Sequence, residues 1–366
     1  MPIGQILFAR RSRFLTVLKP VLSRIEPIFS PRIWGARSLA PFFPEQTDLK
    51  EPLGEAWLTG KDCRIANGPF AGKSLEESWQ AMPLEWRGAY LNSYSEFPIL
   101  VKLLFPNDKL SIQVHPDDAY AAKNEKAAGG RGKTEMWHIV CAQPGAQLLF
   151  DLKPGVTKRD FLNGLSNHTL ENLLEHVPVH KGETYFVPAG TQHAMGPGMV
   201  VCEVQEYSDL TYRVYDFGRL DASGRPRELH IDKALDVTKF GGVPVGKIQP
   251  MALHSPDAKK YLLAACQFFA TERWDCFKTT PIESDPDHFQ LIVILEGSGQ
   301  FYDSESEFEY RPGQTWFLPA SLPITMIQPG GQTTLMRIFV PNIDSLRQQL
   351  RSMGFEEASL SRVLIG

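Results

Sequence analysis

The sequence predicts a mainly β fold made of two small β-barrels with a short helical insertion, and three observations predict it. The chain has 366 residues, more than the roughly 250–300 at which a single core stops growing, so two packed units are expected. Its 29 Gly and 28 Pro supply turns at a density that suits short strands better than long helices. A turn-and-strand frame also occurs twice. Gly182, Pro188, Ala189, Gly190 and His193 in GETYFVPAGTQHAM stand at the same spacing as Gly313, Pro319, Ala320, Ser321 and Ile324 in GQTWFLPASLPITM. Each copy follows a strand–turn–strand segment, EMWHIVCAQPGAQLLF in the first and FQLIVILEGSGQFY in the second. A duplicated small barrel fits such a repeat. The first copy ends in His and the second in Ile, so one barrel is equipped for chemistry and the other is not.

Residues 1–26 read as a basic N-terminal extension carrying Arg10, Arg11, Arg13, Lys19 and Arg24. Lys19 interrupts its apolar run and no A-x-A site follows, which argues against a signal peptide. The first unit spans 27–245. It opens on a stretch rich in Pro, Gly and aromatics with no helical period. Ser74 stands where it caps a short helix through LEESWQAM. FPILVKLLF, Phe97 to Phe105, reads as a buried strand with one odd member, Lys102. SIQVHPDDAY alternates like a strand as far as Val114 and stops at Pro116; Asp117 or Asp118 then caps a helix through AYAAKNEKA. Phe161, Leu165, Leu170, Leu173 and Leu174 lie at helical spacing and place the insertion near 157–177. TYFVPAG, MVVCEVQ and TYRVYDFG return to strands. The second unit, 246–366, is strands with Gly-rich turns. A helix through SLRQQLRSM closes it, capped by Asp344 and ended by Gly354.

A net charge of −4 provides no global field for nucleic acid, and no basic patch lies beyond the first 25 residues. An anionic substrate therefore needs a local basic pocket. The five cysteines, Cys63, Cys141, Cys202, Cys266 and Cys276, are scattered and odd in number. They point to a reduced, cytoplasmic chain without a disulfide framework. No apolar run approaches the roughly 18–20 residues of a membrane helix. A monomer or a homodimer is expected.

Gln113 and His115 are two residues apart on a predicted strand, so they share one face. This pair resembles the first cupin motif, which implies Glu135 in GKTEMWH as a further ligand from the next strand, and His193 in the repeat frame can join from another. Imidazoles, an amide oxygen and one carboxylate make a borderline N/O set that suits Zn²⁺ and leaves room for Fe²⁺ or Mn²⁺. The frame G-x5-P-x-G-x2-H resembles the second cupin motif, whose His binds a metal inside a jelly-roll barrel. The other seven histidines lack such a frame and read as structural or surface residues.

The chain as a whole resembles the type I phosphomannose isomerases of short bacterial form. RIWGAR, GEAW, FPILVKLL, LSIQVHPDDAYA, GKTEMWHI, VPAGTQHAMGPG and EVQEYSDLTYRVYDFGR carry the resemblance, in the family's order, across roughly residues 27–345. GEAW continues as LTG where the family more often has a Glu-Ile-Ser-like run. The resemblance implies two cupin-type barrels, the second metal-free. It implies one Zn²⁺ per chain on Gln113, His115, Glu135 and His193, and Arg213 at the active site. Lys102, Ser111, Lys133 and Glu203 would line the pocket. The implied reaction interconverts mannose 6-phosphate and fructose 6-phosphate through a cis-enediol. Arg213 would stabilise the enediolate, and Ser111, Lys102 and Lys133 would meet the phosphate. Glu203, Lys133 or a hydroxide on the metal are open as the base. Two rival readings keep the same fold: an Fe²⁺-dependent cupin dioxygenase using His115, His193 and Glu135 as a facial triad, and a non-catalytic cupin that binds a sugar phosphate.

Overall fold

The structure, a computed structural model, describes residues 18–221, 223–242 and 246–366. Most of the expected basic extension, residues 1–17, and the expected boundary between units at 245 lie outside the described residues. The chain enters the fold at Leu22, which is buried. The end of the expected extension, Ser23–Glu26, is a strand: it pairs with Thr315–Leu318 on one side and with Arg64–Ile65 on the other. Burial of Ile25 drives it there, since a half-buried strand hides alternate side chains.

The fold is mainly β, and the described residues form four antiparallel sheets. The first large sheet runs in the order Thr184–Val187, Glu135–Ala142, Met199–Glu206, Ile99–Leu104, Leu53–Trp57 and Ile28–Ala36. The second runs Thr315–Leu318, Gln290–Glu296, Thr333–Phe339, Ala270–Cys276, Ala258–Ala265 and Met251–Leu253. The chain visits these positions in the same sequence in both halves, so the sequence repeat is also a repeat of topology. Ser23–Glu26 and Arg64–Ile65 extend only the second sheet. A smaller sheet accompanies each half. One orders Tyr212–Tyr215, Ile112–Val114, His193–Met195, Gln147–Leu152 and Leu174–Pro178; the other orders Thr280–Ile282, Thr325–Pro329, Gly299–Tyr302 and Glu307–Tyr310.

The two large sheets share one core. Trp79 meets the edges of Phe97 and Phe289 at 5.4 and 5.6 Å, and Phe289 stacks on Phe317 at 5.0 Å. These rings come from both halves, and each fully buried one contributes on the order of 1.5–3 kcal/mol. The space between the second half's two sheets is packed with Trp274, Ile292, Phe301, Trp316 and Leu335. The first half leaves room for a pocket.

Local signals explain the helices. Ser74 and Glu77 form a reciprocal capping box on Leu75–Ala81. Asp117 caps Asp118–Asn124. Thr157 and Asp160 cap Lys158–Ser166. The expected insertion to 177 ends earlier. Leu170–Leu173 is a 3₁₀ turn, and Leu174–Pro178 is a strand that pairs with Gln147–Leu152. Leu170 and Leu174 are both buried, and a turn followed by a strand buries that pair as well as a helix would. The closing helix, Ile343–Ser352, is capped by Asn342, whose Oδ1 accepts from Ser345 N–H at 3.1 Å. Asp344, the expected cap, lies in the first turn and favours the helix dipole there.

Candidate metal centre and pocket

The strand Ile112–Val114 pairs with His193–Met195 so that Gln113 faces His193, and with Tyr212–Tyr215 so that Gln113 also faces Arg213. His115 follows directly after Val114. Glu135 opens the neighbouring strand of the large sheet, opposite Gln205. Gly190 completes the arrangement. Its φ of +91° is open to glycine, a Cβ there would meet Val237 O at 2.9 Å, and its N–H donates to His115 O at 2.9 Å.

The expected ligands meet. The donor atoms of His115, Glu135 and His193 lie within 4.8 Å of one another, and all three residues are buried. His115 Nε2 lies 3.6 Å from Glu135 Oε2, and His193 Nε2 lies 3.5 Å from Glu135 Oε1. Gln113 Nε2 is 3.3 Å from His193 Nε2. The far ring nitrogens are fixed by backbone: His115 Nδ1 lies 2.9 Å from Leu210 O, and His193 Nδ1 lies 3.0 Å from Thr191 O. Nδ1–H donors to these carbonyls leave both Nε2 atoms as acceptors turned into the cluster, where the Gln113 amide and the Lys133 ammonium now meet them. A backbone-anchored Nδ1–H is how metal-ligating histidines are held. Burial, then Lys133, holds His115 well below the usual imidazole range and His193 down to about 3, so both rings are neutral at pH 7.

A metal fits this set on two observations. Glu135 Oε1 is buried without a hydrogen-bond donor, a costly state that a cation relieves. Lys133 extends its ammonium into the cluster, 2.5 Å from Glu135 Oε2 and 3.2 Å from His115 Nε2; a positive charge is what the donors attract. The residues can therefore hold a metal ion.

The remaining candidates line the same pocket, a cavity of about 450 Å³. Lys102, Ser111, Lys133, Glu203 and Arg213 all contribute. Lys102, on the apolar strand, is 2 % exposed. It donates to Asp209 at 2.8 Å, lies 3.8 Å from Glu203, and sits 4.4 Å over the Trp57 ring. Burial opposes its charge, but Asp209, Glu55 and Glu203 outweigh that and hold it above the ordinary lysine range. Burial likewise opposes the charge of Lys133, and Glu135 and Glu203 outweigh it. Glu203 accepts from Trp137 Nε1 at 3.1 Å; burial pushes its carboxyl up, with Lys133 opposing. Arg213 donates through Nη1 to Glu228 O at 2.9 Å, and burial followed by Arg227 pushes its guanidinium down. Sequence reasoning missed Arg32, Glu55, Asp209 and Arg227, which also line the cavity. The motifs RIWGAR and GEAW contained the signal for Arg32 and Glu55, but only strand pairing brings them to the site.

In the second half, Ile324 stands at the frame position of His193 and is exposed. Among the described residues, His115, Glu135 and His193 form the one His/Cys/Asp/Glu cluster with metal-binding spacing. No described helix is long and apolar enough to cross a membrane.

Residues 22–137 match the model of the phosphomannose isomerase type I catalytic domain. The mannose-6-phosphate isomerase ManA of Bacillus subtilis is 32% identical over 308 residues, covering 81% of this chain and 92% of its own. The mannose-6-phosphate isomerase of Streptococcus mutans is 32% identical over 307 residues, 81% of this chain and 93% of its own. The crystal structure of the Bacillus subtilis mannose 6-phosphate isomerase superposes with a TM-score of 0.79 at 31% identity, covering 87% of this chain and 99% of that one.

Proposed function

Since the chain belongs to the type I phosphomannose isomerases, we propose that its pocket interconverts mannose 6-phosphate and fructose 6-phosphate through a cis-enediol, with one Zn²⁺ per chain. His115, Glu135 and His193 would hold the metal through Nε2, a carboxylate oxygen and Nε2. Gln113 would join them through Oε1 after a half-turn of its amide. When bound, the metal supplies Lewis-acid stabilisation of the negative charge that develops on the sugar's O1 and O2. The observation that carries this reading is the pair of backbone-fixed imidazoles facing the donorless Oε1 of Glu135.

The chain's own residues divide the remaining work. Glu203, pushed up by burial and fixed by Trp137 Nε1–H, would take the proton from C2, and Lys133, 4.0 Å from it and kept charged by Glu135 and Glu203, would return one at C1. Lys102, 3.8 Å away, keeps the buried Glu203 carboxylate compensated. Arg213 adds fixed positive charge toward the enediolate. Ser111, Lys102 and Lys133 present donors to the substrate.

We read the large and small sheets of each half as a cupin-type barrel, in units of about 27–245 and 246–366, the second without metal; the repeated strand order supports this. The five free cysteines fit a cytoplasmic enzyme, monomeric or homodimeric. The test is a coupled assay of fructose 6-phosphate formed from mannose 6-phosphate, run as purified, after chelation, and after Zn²⁺ is restored. Activity lost and regained supports both reaction and metal. A folded, zinc-loaded protein with no turnover overturns the reading.

A further inference from the structure

Two features of the chain have no role in the metal site: the pair RIWGAR and GEAW, and an arginine beyond TYRVYDFGR, Arg227. They converge. Arg32, Arg213 and Arg227 line the same cavity as Gln113 and His193.

Each flanking arginine is fixed from behind. Arg32 lies on Gly54, where a Cβ would come within 2.5 Å of its own Cβ. Its Nη2 donates to Glu55 Oε2 at 2.7 Å, and Glu55 is itself fixed by Trp57 Nε1 at 2.7 Å. Arg227 sets its Nε–Nη2 edge on Asp216, with Nε 2.8 Å from Oδ2. Asp216 also takes Arg219 Nη2 at 2.6 Å, so one carboxylate serves two guanidiniums. Arg213 neighbours both, and their charges oppose its own. Its Nε is buried without a partner, and among the described residues no carboxylate lies within 4.0 Å of it. By contrast, Lys102 and Lys133 are already neutralised by Asp209 and Glu135.

Three guanidiniums line one cavity, and Arg213, which Arg227 and Arg32 both oppose, has only the more distant Asp216 to offset them. A phosphate monoester carries about −2 charge at pH 7 and three acceptor oxygens, and arginine forks match it. Building on the isomerase reading, we propose that Arg32 and Arg227 are specificity-determining residues that grip the substrate's phosphate, while Arg213, opposite Gln113, faces the reacting end of the sugar. Gly54 and Glu55 position the first and Asp216 the second. The sugar then lies between this clamp and the metal ligands.

The test is calorimetric titration of the metal-loaded protein with inorganic phosphate, beside steady-state kinetics with mannose 6-phosphate. Arg227→Gln is expected to weaken phosphate binding and to raise the KM, each about 10–100-fold, the loss of a charge-assisted fork. Its kcat changes far less, and Arg227→Lys recovers part of the affinity. If Arg227→Gln does not fold, Gly54→Ala reads the same titration, since it keeps every charge and displaces Arg32. Wild-type protein that fails to bind phosphate, or variants that bind it as well as wild type, overturn the clamp. Phosphate bound through these arginines without turnover of mannose 6-phosphate leaves the clamp standing and removes the isomerase reading.

Discussion

Gln290 occupies in the second half the register that Glu135 occupies in the first. Glu135 pairs across strands with Val187, and Gln290 with Leu318; those partners stand five residues after Gly182 and Gly313 of the repeated frame. Neighbouring positions follow the same rule. Glu203 faces Lys102 in one half, and Arg337 faces Glu272 in the other. The charges are exchanged. Arg337 donates through Nε to Gln290 at 2.6 Å and through Nη1 to Glu272 at 2.9 Å. A guanidinium thus satisfies the second half from within, where the first half leaves Glu135 Oε1 open.

One metal per chain is therefore expected by elemental analysis. Glu135→Gln lowers the content toward zero. Arg337→Met leaves it at one but strands Glu272 in the interior, at a cost of about 3–5 kcal/mol seen in the denaturant midpoint. Two metals in the wild type would contradict the assignment.

The network around Lys102 predicts strong coupling. Lys102→Met removes the ammonium shared by Glu203 and Asp209 and leaves Lys133, 4.0 Å from Glu203, as the nearest remaining cation. It is expected to destabilise by about 3–5 kcal/mol and to abolish most turnover. Adding Glu203→Gln removes one buried charge, so the double variant is expected to be more stable than Lys102→Met alone. Strict additivity in a double-mutant cycle would show that the two residues do not share a network.

His138 gives a pH dependence separate from the metal. It is buried beside Thr184 Oγ1 at 2.9 Å, and burial, then Arg273, holds it down to about 3. The unfolded chain protonates it near 6.5. Below that value the unfolded state binds more protons, so this residue's contribution to stability is lost as pH falls from about 6.5 toward 3. Glu206, pushed up to about 8 by burial, acts with the opposite sign: the folded state keeps its proton below 8. The informative quantity is the difference between proteins. His138→Gln is expected to lose less stability than wild type between pH 7 and 5, by up to about 1.4 kcal/mol per pH unit. Parallel profiles would remove the assignment.

Ser74 tests a local element remote from the pocket. Ser74→Ala breaks the capping box on Leu75–Ala81 and is expected to cost about 0.5–2 kcal/mol with KM unchanged. A KM shift would mean that this helix communicates with the site.

The sequence alone determined whatever depends on neighbours along the chain. Ser74, Asp117 and Thr157 cap their helices because a cap needs a partner only three residues on. Gln113 and His115 share a face because strand period is two, and the glycines of the frame mark its turns. The repeat announced a doubled topology. Where competing local patterns were close in energy, the outcome went elsewhere: Leu174–Pro178 became a strand, and Asn342 rather than Asp344 took the cap. Only the tertiary structure decided what each buried charge meets. Arg32 with Glu55, Lys102 with Asp209, and Arg227 with Asp216 are joined by strand register and loop closure. Register is set by packing over the whole sheet, and a shift of one residue would turn each of these side chains to the opposite face.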